Sequence, residues 1–296
     1  MGGTIAFIGL GNMGAPMTAN LVKAGRRVVG FDVSAACREA AQANGVAMAP
    51  SAAAAVADAD VVITMLPAGE HVLSVWAEIV PAAPPKTLFI DCSTIDLESA
   101  RKAHALAAEH ARPSLDAPVS GGVAGATAAT LTFMAGGSRE AFAQGEPILA
   151  GMGKRVVHCG EAGAGQAAKI CNNMMLGISM IGVAEAFVLA ERIGLSHQAL
   201  FDVASTSSGQ CWSLTSYCPA PGLVPASPAN NGYKPGFAAA LMLKDLKLAQ
   251  QAALASGAAT PLGAEAAQIY ALFAGAGHAH EDFSGIINFV RGLNAE

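Results

Sequence analysis

Within its first 32 residues the chain runs through TIAFIGLGNMG, a helical stretch and RVVGFD, and few folds accommodate that order. An apolar strand-like run (4–10) meets three glycines, Gly9, Gly11 and Gly14, in GxGxxG spacing. A helix follows over about 12–24, then a second strand (27–32) that ends on Asp32. The first glycine suits a tight turn, the second a close approach of backbone to a pyrophosphate, the third close packing of helix on strand. GxGxxG alone is a weak signal in a chain with 33 glycines. Placed between a strand and a helix it predicts a dinucleotide-binding unit, with the helix N-terminus offering N–H groups and a positive dipole end to the phosphates. Asp32 is suited to accept from the adenosine ribose and to repel a 2′-phosphate. Ser34 is available to cap the next helix. Arg26 and Arg27 precede the second strand instead of following it, so NAD is expected over NADP.

Strand-like runs recur at 60–66, 87–92, 114–119, 129–136 and 155–160, separated by helical stretches near 34–44, 70–80, 96–110 and 139–151. This alternation predicts an α/β fold whose N-terminal part, residues 1–162, is a Rossmann-type, doubly wound, mostly parallel sheet covered on both faces. Past about residue 163 the strand signals stop. A long helix from about 165 to 192 and further helices near 197–206, 237–256, 261–274 and 283–293 predict an all-helical C-terminal domain, residues 163–296. The segment 207–236, rich in Pro, Gly, Ser and Asn, is expected to be a long loop, and such loops are often functional.

Composition narrows the function. Hydrophobic residues make up 53% and charged residues 13%, enough for a sizeable core. A net charge of −5 without a basic cluster argues against nucleic acid and against anionic membrane surfaces. The uncharged run 117–138 is interrupted by Gly, Ser and Thr, so no membrane span is expected. The six cysteines form no CxxC and no regular framework, and are expected to be reduced, Cys211 and Cys218 included. A strand beginning almost at the first residue leaves no room for a presequence, and a cytoplasmic enzyme is the simplest expectation. HAHED (278–282) lacks further spaced ligands; it reads as a solvated loop, and no metal site is expected.

GQAAKICNN (165–173) sets a lysine inside one of the most apolar stretches of the chain. A buried ammonium is costly unless something uses it, although its stem can also reach out to water. Lys169 and Asn173 are four residues apart and so share a helix face. Desolvation lowers a lysine pKa towards neutrality, which suits acid–base work.

Five segments in order, FIGLGNMGAPMTANLVKAG, DAPVSGG, GAGQAAKICNN, YKPGFAAALMLKDLKLA and DFSGII, resemble the β-hydroxyacid dehydrogenase family over nearly the whole chain. The resemblance implies NAD-dependent oxidation of a small 3-hydroxy acid, 3-hydroxyisobutyrate first, as in breakdown of valine and other branched-chain amino acids. Tartronate semialdehyde reduction and serine oxidation are the alternatives within the family, and a non-catalytic dinucleotide sensor is the alternative outside it. Lys169 matches the family's catalytic lysine; Ser120, Gly121, Gly122 and Asn173 match its substrate-binding positions. Gly9, Gly11, Asn12, Met13, Gly14 and Asp32 lie at its cofactor end, and Lys244 and Asp245 match the family pair that closes the site near the nicotinamide. Leu66, Pro67 and Thr94 follow the third and fourth strands, the edge where a cofactor is expected along an open sheet. The plain alternatives are a tight turn for 120–122 and a solvated helix face for Lys244 and Asp245. Trp212 and Tyr217 either line the pocket or anchor the long loop. The resemblance also implies a homo-oligomer, dimer or tetramer.

Overall fold

The computed structural model describes residues 3–292. They form two compact units that divide between Lys169 and Ile170. The first contains β1 (Thr4–Ile8), α1 (Gly14–Lys23), β2 (Arg27–Phe31), α2 (Ala35–Ala43), β3 (Ala47–Met48), α3 (Ala52–Val56), β4 (Val61–Thr64), α4 (Gly69–Ala82), β5 (Leu88–Asp91) and α5 (Leu97–Glu109). It continues with β6 (Ser114–Asp116), β7 (Val119–Ser120), α6 (Gly122–Thr127), β8 (Leu131–Gly136), α7 (Arg139–Leu149) and β9 (Gly153–Gly160).

The strands form one sheet in the order β3-β2-β1-β4-β5-β6-β8-β7, with β9 on β8. The pairings from β3 to β6 are all parallel, whereas β8 runs antiparallel to β6 and β7. Alternation along the strands sorts the core into two layers. Ile5, Phe7, Ile63, Leu88 and Ile90 pack on one face; Ala6, Ile8, Val62 and Phe89 pack on the other, with Trp76 of α4. This is the doubly wound α/β arrangement that strand–helix alternation predicts. The expected strand 114–119 is two short strands instead, because Pro118, which has no N–H to give a ladder, separates β6 from β7. The two-residue β3, the alanine-rich α3 and the glycine-rich α6 carry too little periodicity to stand out in the sequence.

The 30-residue α8 (Ala164–Ile193) runs from the first unit into the second, which continues with α9 (His197–Ala204), α10 (Trp212–Thr215), α11 (Ala239–Ser256), α12 (Pro261–Phe273) and α13 (Ile286–Val290). Its core joins Met180, Ala184 and Phe187 of α8 to Met242 and Leu246 of α11 and to Tyr270 and Phe273 of α12. By length and composition α8 is apolar enough to cross a bilayer, which a search for uncharged runs passes over because Lys169 and the glutamates interrupt it.

The long segment 207–236 is better ordered than its composition suggests. It holds α10 and a 3-10 turn at Pro228–Asn231, and fully buried Asp282 ties it down. The Asp282 carboxylate accepts from Tyr217 Oη at 2.9 Å, Gly236 N at 2.9 Å, Phe237 N at 3.0 Å and Ser284 Oγ at 2.7 Å. HAHED is therefore not a wholly solvated loop: its last residue is a buried anchor, and His278 stacks on Phe273. The helix expected over 283–293 is a 3-10 turn (Phe283–Gly285) leading into α13, and its end lies outside the described residues.

Candidate active site

Side-chain caps divide the helices of the first unit into two groups. In the first unit, α2, α3, α5 and α7 begin on Ser34, Ser51, Asp96 and Ser138, each of which accepts a backbone N–H of its own first turn. The starts of α1, α4 and α6 have no such bond. These three helices follow GLGNM, Leu66-Pro67 and Ser120-Gly121, the segments in which cofactor and substrate residues are expected. Helix N–H groups without an internal partner suit phosphate and carboxylate oxygens.

The glycine loop has the geometry its spacing predicts, with one difference. Gly9 adopts φ 96°, and a Cβ there would sit 2.2 Å from Met65 O. A Cβ on Gly11 would meet nothing within 4 Å, leaving that side of the loop open. At Gly14 the nearest obstacle is Gly9 O, 1.9 Å from a built Cβ, so the third glycine closes the loop on itself as well as packing helix on Phe7 of β1. Asn12 is exposed and half-buried Met13 precedes α1. Asp32 joins the loop to β2, its carboxylate accepting from Leu10 N at 2.7 Å and Ser34 N at 2.8 Å. Arg38, a residue the sequence reading passed over, donates to Asp32 O at 2.6 Å and so places a guanidinium at the end of β2.

Beyond β4 and β5 the loops carrying Leu66, Pro67 and Thr94 hang on a buried network centred on Asp91. Its Oδ1 accepts from Thr64 Oγ1 at 2.7 Å and Ser93 Oγ at 2.6 Å. Ser93 Oγ in turn accepts from Leu66 N at 2.8 Å, and Trp76 donates to Thr64 Oγ1 at 3.2 Å. Burial pushes the Asp91 carboxyl up from 3.8 to about 6, although the hydrogen bonds from Ser93 and Thr64 oppose it. Between these values the folded protein holds this proton more tightly than the unfolded chain, so stability falls as pH rises through the window. The loss is about 3 kcal/mol in full. Asp91→Asn, whose amide does not titrate, should lose that slope. Its stability relative to the parent, from denaturant midpoints, should improve as pH rises from about 4 to about 7. A difference constant across this range contradicts the assignment.

Ser120 is half-buried and pairs with Thr132 across β7 and β8, while Gly121 has φ 134° and Gly122 φ 60°, a bend that opens α6. Lys169 is 7% exposed and Asn173 2%, one turn apart on α8. Within the second unit, Asn173 Nδ2 donates to Asp245 of α11 at 2.5 Å. Asp245 is buried and so does not lie on a solvated face; Lys244 beside it is half-buried. Tyr217 is an anchor through Asp282, and Trp212 stacks on it at 4.9 Å with 51% of its surface exposed. The sequence reading missed Asp116, which fixes the start of α8. Its carboxylate accepts from Gly163 N at 2.8 Å and Gln166 N at 2.7 Å, and it pairs with His104 Nε2 at 2.9 Å. Among the described residues no group of His, Cys, Asp and Glu is arranged to hold a metal.

Residues 4–160 match the family model described as the NAD-binding domain of 6-phosphogluconate dehydrogenase. Residues 163–290 match the model described as NAD-binding of NADP-dependent 3-hydroxyisobutyrate dehydrogenase. The chain is 58% identical over 288 residues to a probable 3-hydroxyisobutyrate dehydrogenase of Mycobacterium tuberculosis, covering 97% of this chain and 98% of the relative. It is 48% identical over 283 residues to an NAD-dependent L-serine dehydrogenase of Pseudomonas aeruginosa, covering 95% of each. A solved structure of the Mycobacterium tuberculosis 3-hydroxyisobutyrate dehydrogenase with L-serine superposes with a TM-score of 0.96 at 57% identity, covering 98% of this chain and 100% of that one. With a relative 58% identical over nearly its full length and a family model matched over residues 163–290, the chain belongs to the 3-hydroxyisobutyrate dehydrogenase family of nicotinamide-dependent oxidoreductases.

Proposed function

We propose that the protein oxidises 3-hydroxyisobutyrate, or a close small 3-hydroxy acid, to its semialdehyde with NAD. The observation that carries this is a buried lysine one helical turn before a buried asparagine whose amide is already held by Asp245. Residues 1–162 hold the dinucleotide, through Gly9, Gly11, Asn12, Met13, Gly14 and Asp32, with Leu66, Pro67 and Thr94 at the loops beyond β4 and β5. Residues 163–296 are the substrate and oligomerisation domain of this reading. The open space at Gly11 and the uncapped start of α1 fit a pyrophosphate. Bound there, NAD would supply the two-electron acceptor. Lys169 Nζ takes the hydroxyl proton as the carbon–hydrogen bond breaks, and returns it in the reverse direction. Ser120 Oγ and the backbone N–H groups of Gly121 and Gly122 donate to the substrate carboxylate. Asn173 has a second amide hydrogen for the substrate beyond the one given to Asp245. Lys244 and Asp245 are assigned to the cofactor site on the family resemblance alone. This reading gives the protein a step in branched-chain amino-acid breakdown, with the cytoplasm as its proposed location.

L-Serine is the second reading, because it presents the same carboxylate and β-hydroxyl, and relatives bear its name. A kinetic panel of small 3-hydroxy acids separates the two. A higher kcat/KM for serine than for 3-hydroxyisobutyrate would overturn the first.

NAD preference is assigned to Asp32, since a carboxylate facing a 2′-phosphate is repulsive. Arg38 already lies at the same strand end, so Asp32→Ser alone should raise the NADP-to-NAD ratio of kcat/KM by about tenfold or more. If the unmodified protein uses NADP as well as NAD, Asp32 does not have this role.

A homo-oligomer, dimer or tetramer, is proposed from the helical unit, where Met175, Leu189 and Ile193 of α8 and Leu254, Leu262 and Leu272 are largely exposed. Sedimentation as a monomer at micromolar concentration would count against it.

A further inference from the structure

Gln166 lies in the first turn of α8, is fully buried, and braces a different element with each end of its amide. Nε2 donates to Ser93 O at 2.7 Å, and Oε1 accepts from Ile95 N at 3.2 Å. These two backbone groups flank Thr94. The backbone N–H of Gln166 donates to the Asp116 carboxylate at 2.7 Å, so the same turn is held from β6. Because Ser93 also receives Leu66 N, the loops after β4 and β5 and the first turn of α8 share one run of hydrogen bonds. Lys169 follows Gln166 by three residues, a rise of about 4.5 Å along the helix. A methylene more or less in this side chain would move one end of the run against the other.

We propose that Gln166 is a positioning residue for the hydride-transfer reaction: it fixes the loop carrying Thr94 relative to the helical turn carrying Lys169. This rests on the reading of Lys169 as the proton-transfer group. The glutamine itself touches neither reacting atom. Its contribution is to keep the donor carbon, the dinucleotide loop and the lysine in one geometry, and misplacement by about 1 Å can cost about a hundredfold in rate.

Gln166→Met keeps the length and removes both hydrogen bonds; Gln166→Asn keeps the amide but cannot span both partners. For each folded variant, kcat should fall by about tenfold to a hundredfold. The dinucleotide Kd should stay within about threefold, because Gln166 does not brace the glycine loop or Asp32, which carry most of that binding. The deuterium isotope effect on kcat, with substrate labelled at the hydroxyl carbon, should rise as hydride transfer becomes rate-limiting. A brace serving stability alone would lower the melting temperature and leave both kcat and the isotope effect at parental values. That result in either variant overturns the proposal, and Asn carries the test if Met does not fold. Lys169→Ala is measured alongside: if it retains normal turnover, the lysine reading and this proposal fall together. If it is inactive while both Gln166 variants match the parent, only the positioning role is lost.

Discussion

Replacing Lys169 with alanine is expected to lower turnover by about 10²–10⁴, the usual contribution of a positioned acid–base group. Dinucleotide affinity should change little, because Gly9, Gly11 and Asp32 belong to β1, α1 and the end of β2, where Asp32 is fixed by Leu10 and Ser34. Lys169→Met is the control for packing: it restores most of the buried volume without a titrating nitrogen, and it should be as slow as alanine. Both should lose the ionisation that the lysine gives the pH profile of the parent. A lysine that merely reaches out to water along its stem predicts the opposite, with stability altered and the chemical step untouched. Equal kcat in parent and Met variant would establish that alternative.

The second large effect is expected at Gly165. A Cβ there would lie 2.2 Å from Met134 O and 2.5 Å from Asp116 O, both backbone atoms of sheet strands that cannot swing aside. Gly165→Ala should therefore cost about 3 kcal/mol or more of unfolding free energy, read from the denaturant midpoint, because overpacking against fixed backbone has no cheap relaxation. Whatever protein folds should also turn over slowly, since relief of the clash displaces the turn that leads to Lys169. Gly182→Ala is the matched control. It lies on the same helix with nothing within 4 Å of a built Cβ, and helix propensity alone should make it neutral or stabilising by about 1 kcal/mol. A Gly165 variant as stable as the Gly182 variant would mean that α8 does not enter the sheet as described.

The long and strongly patterned elements were legible in the sequence. The strand–glycine–helix–strand opening, the end of strand signals near residue 163 and the 30-residue α8 each follow from period, glycine spacing and apolar runs. Reading along the chain shows which residue types recur, but not which buried polar atoms meet. For that reason Asp91, Asp116 and Gln166 went unnoticed. Each is an ordinary residue locally, and its partners lie 2 to 73 positions away. Asp282 sits in a run of polar and small residues that reads as solvated, yet its carboxylate gathers donors from Tyr217 and Gly236 of the long segment. Arg38 was hidden by a similar limit. The sequence places it inside a helix, and only the turn after β2 brings its guanidinium back to Asp32 O. The split of β6 from β7 was marked by Pro118, a signal that was present but was outweighed by the apolar run around it.

In the proposed reaction hydride passes from a 3-hydroxy acid to NAD while Lys169 manages the proton. Rapid-mixing absorbance at the reduced-nicotinamide band, with excess 3-hydroxyisobutyrate, tests it most directly when the parent and Lys169→Arg are followed across pH. Arginine keeps its proton at any working pH and so cannot accept one. The account predicts prompt formation of reduced nicotinamide in the parent, with a rate that follows one ionisation, and a rate lower by about 10²-fold or more in the arginine variant at every pH. An arginine variant with near-parental rate and pH dependence, or a parent that binds NAD and forms no reduced nicotinamide from any small 3-hydroxy acid, would contradict it.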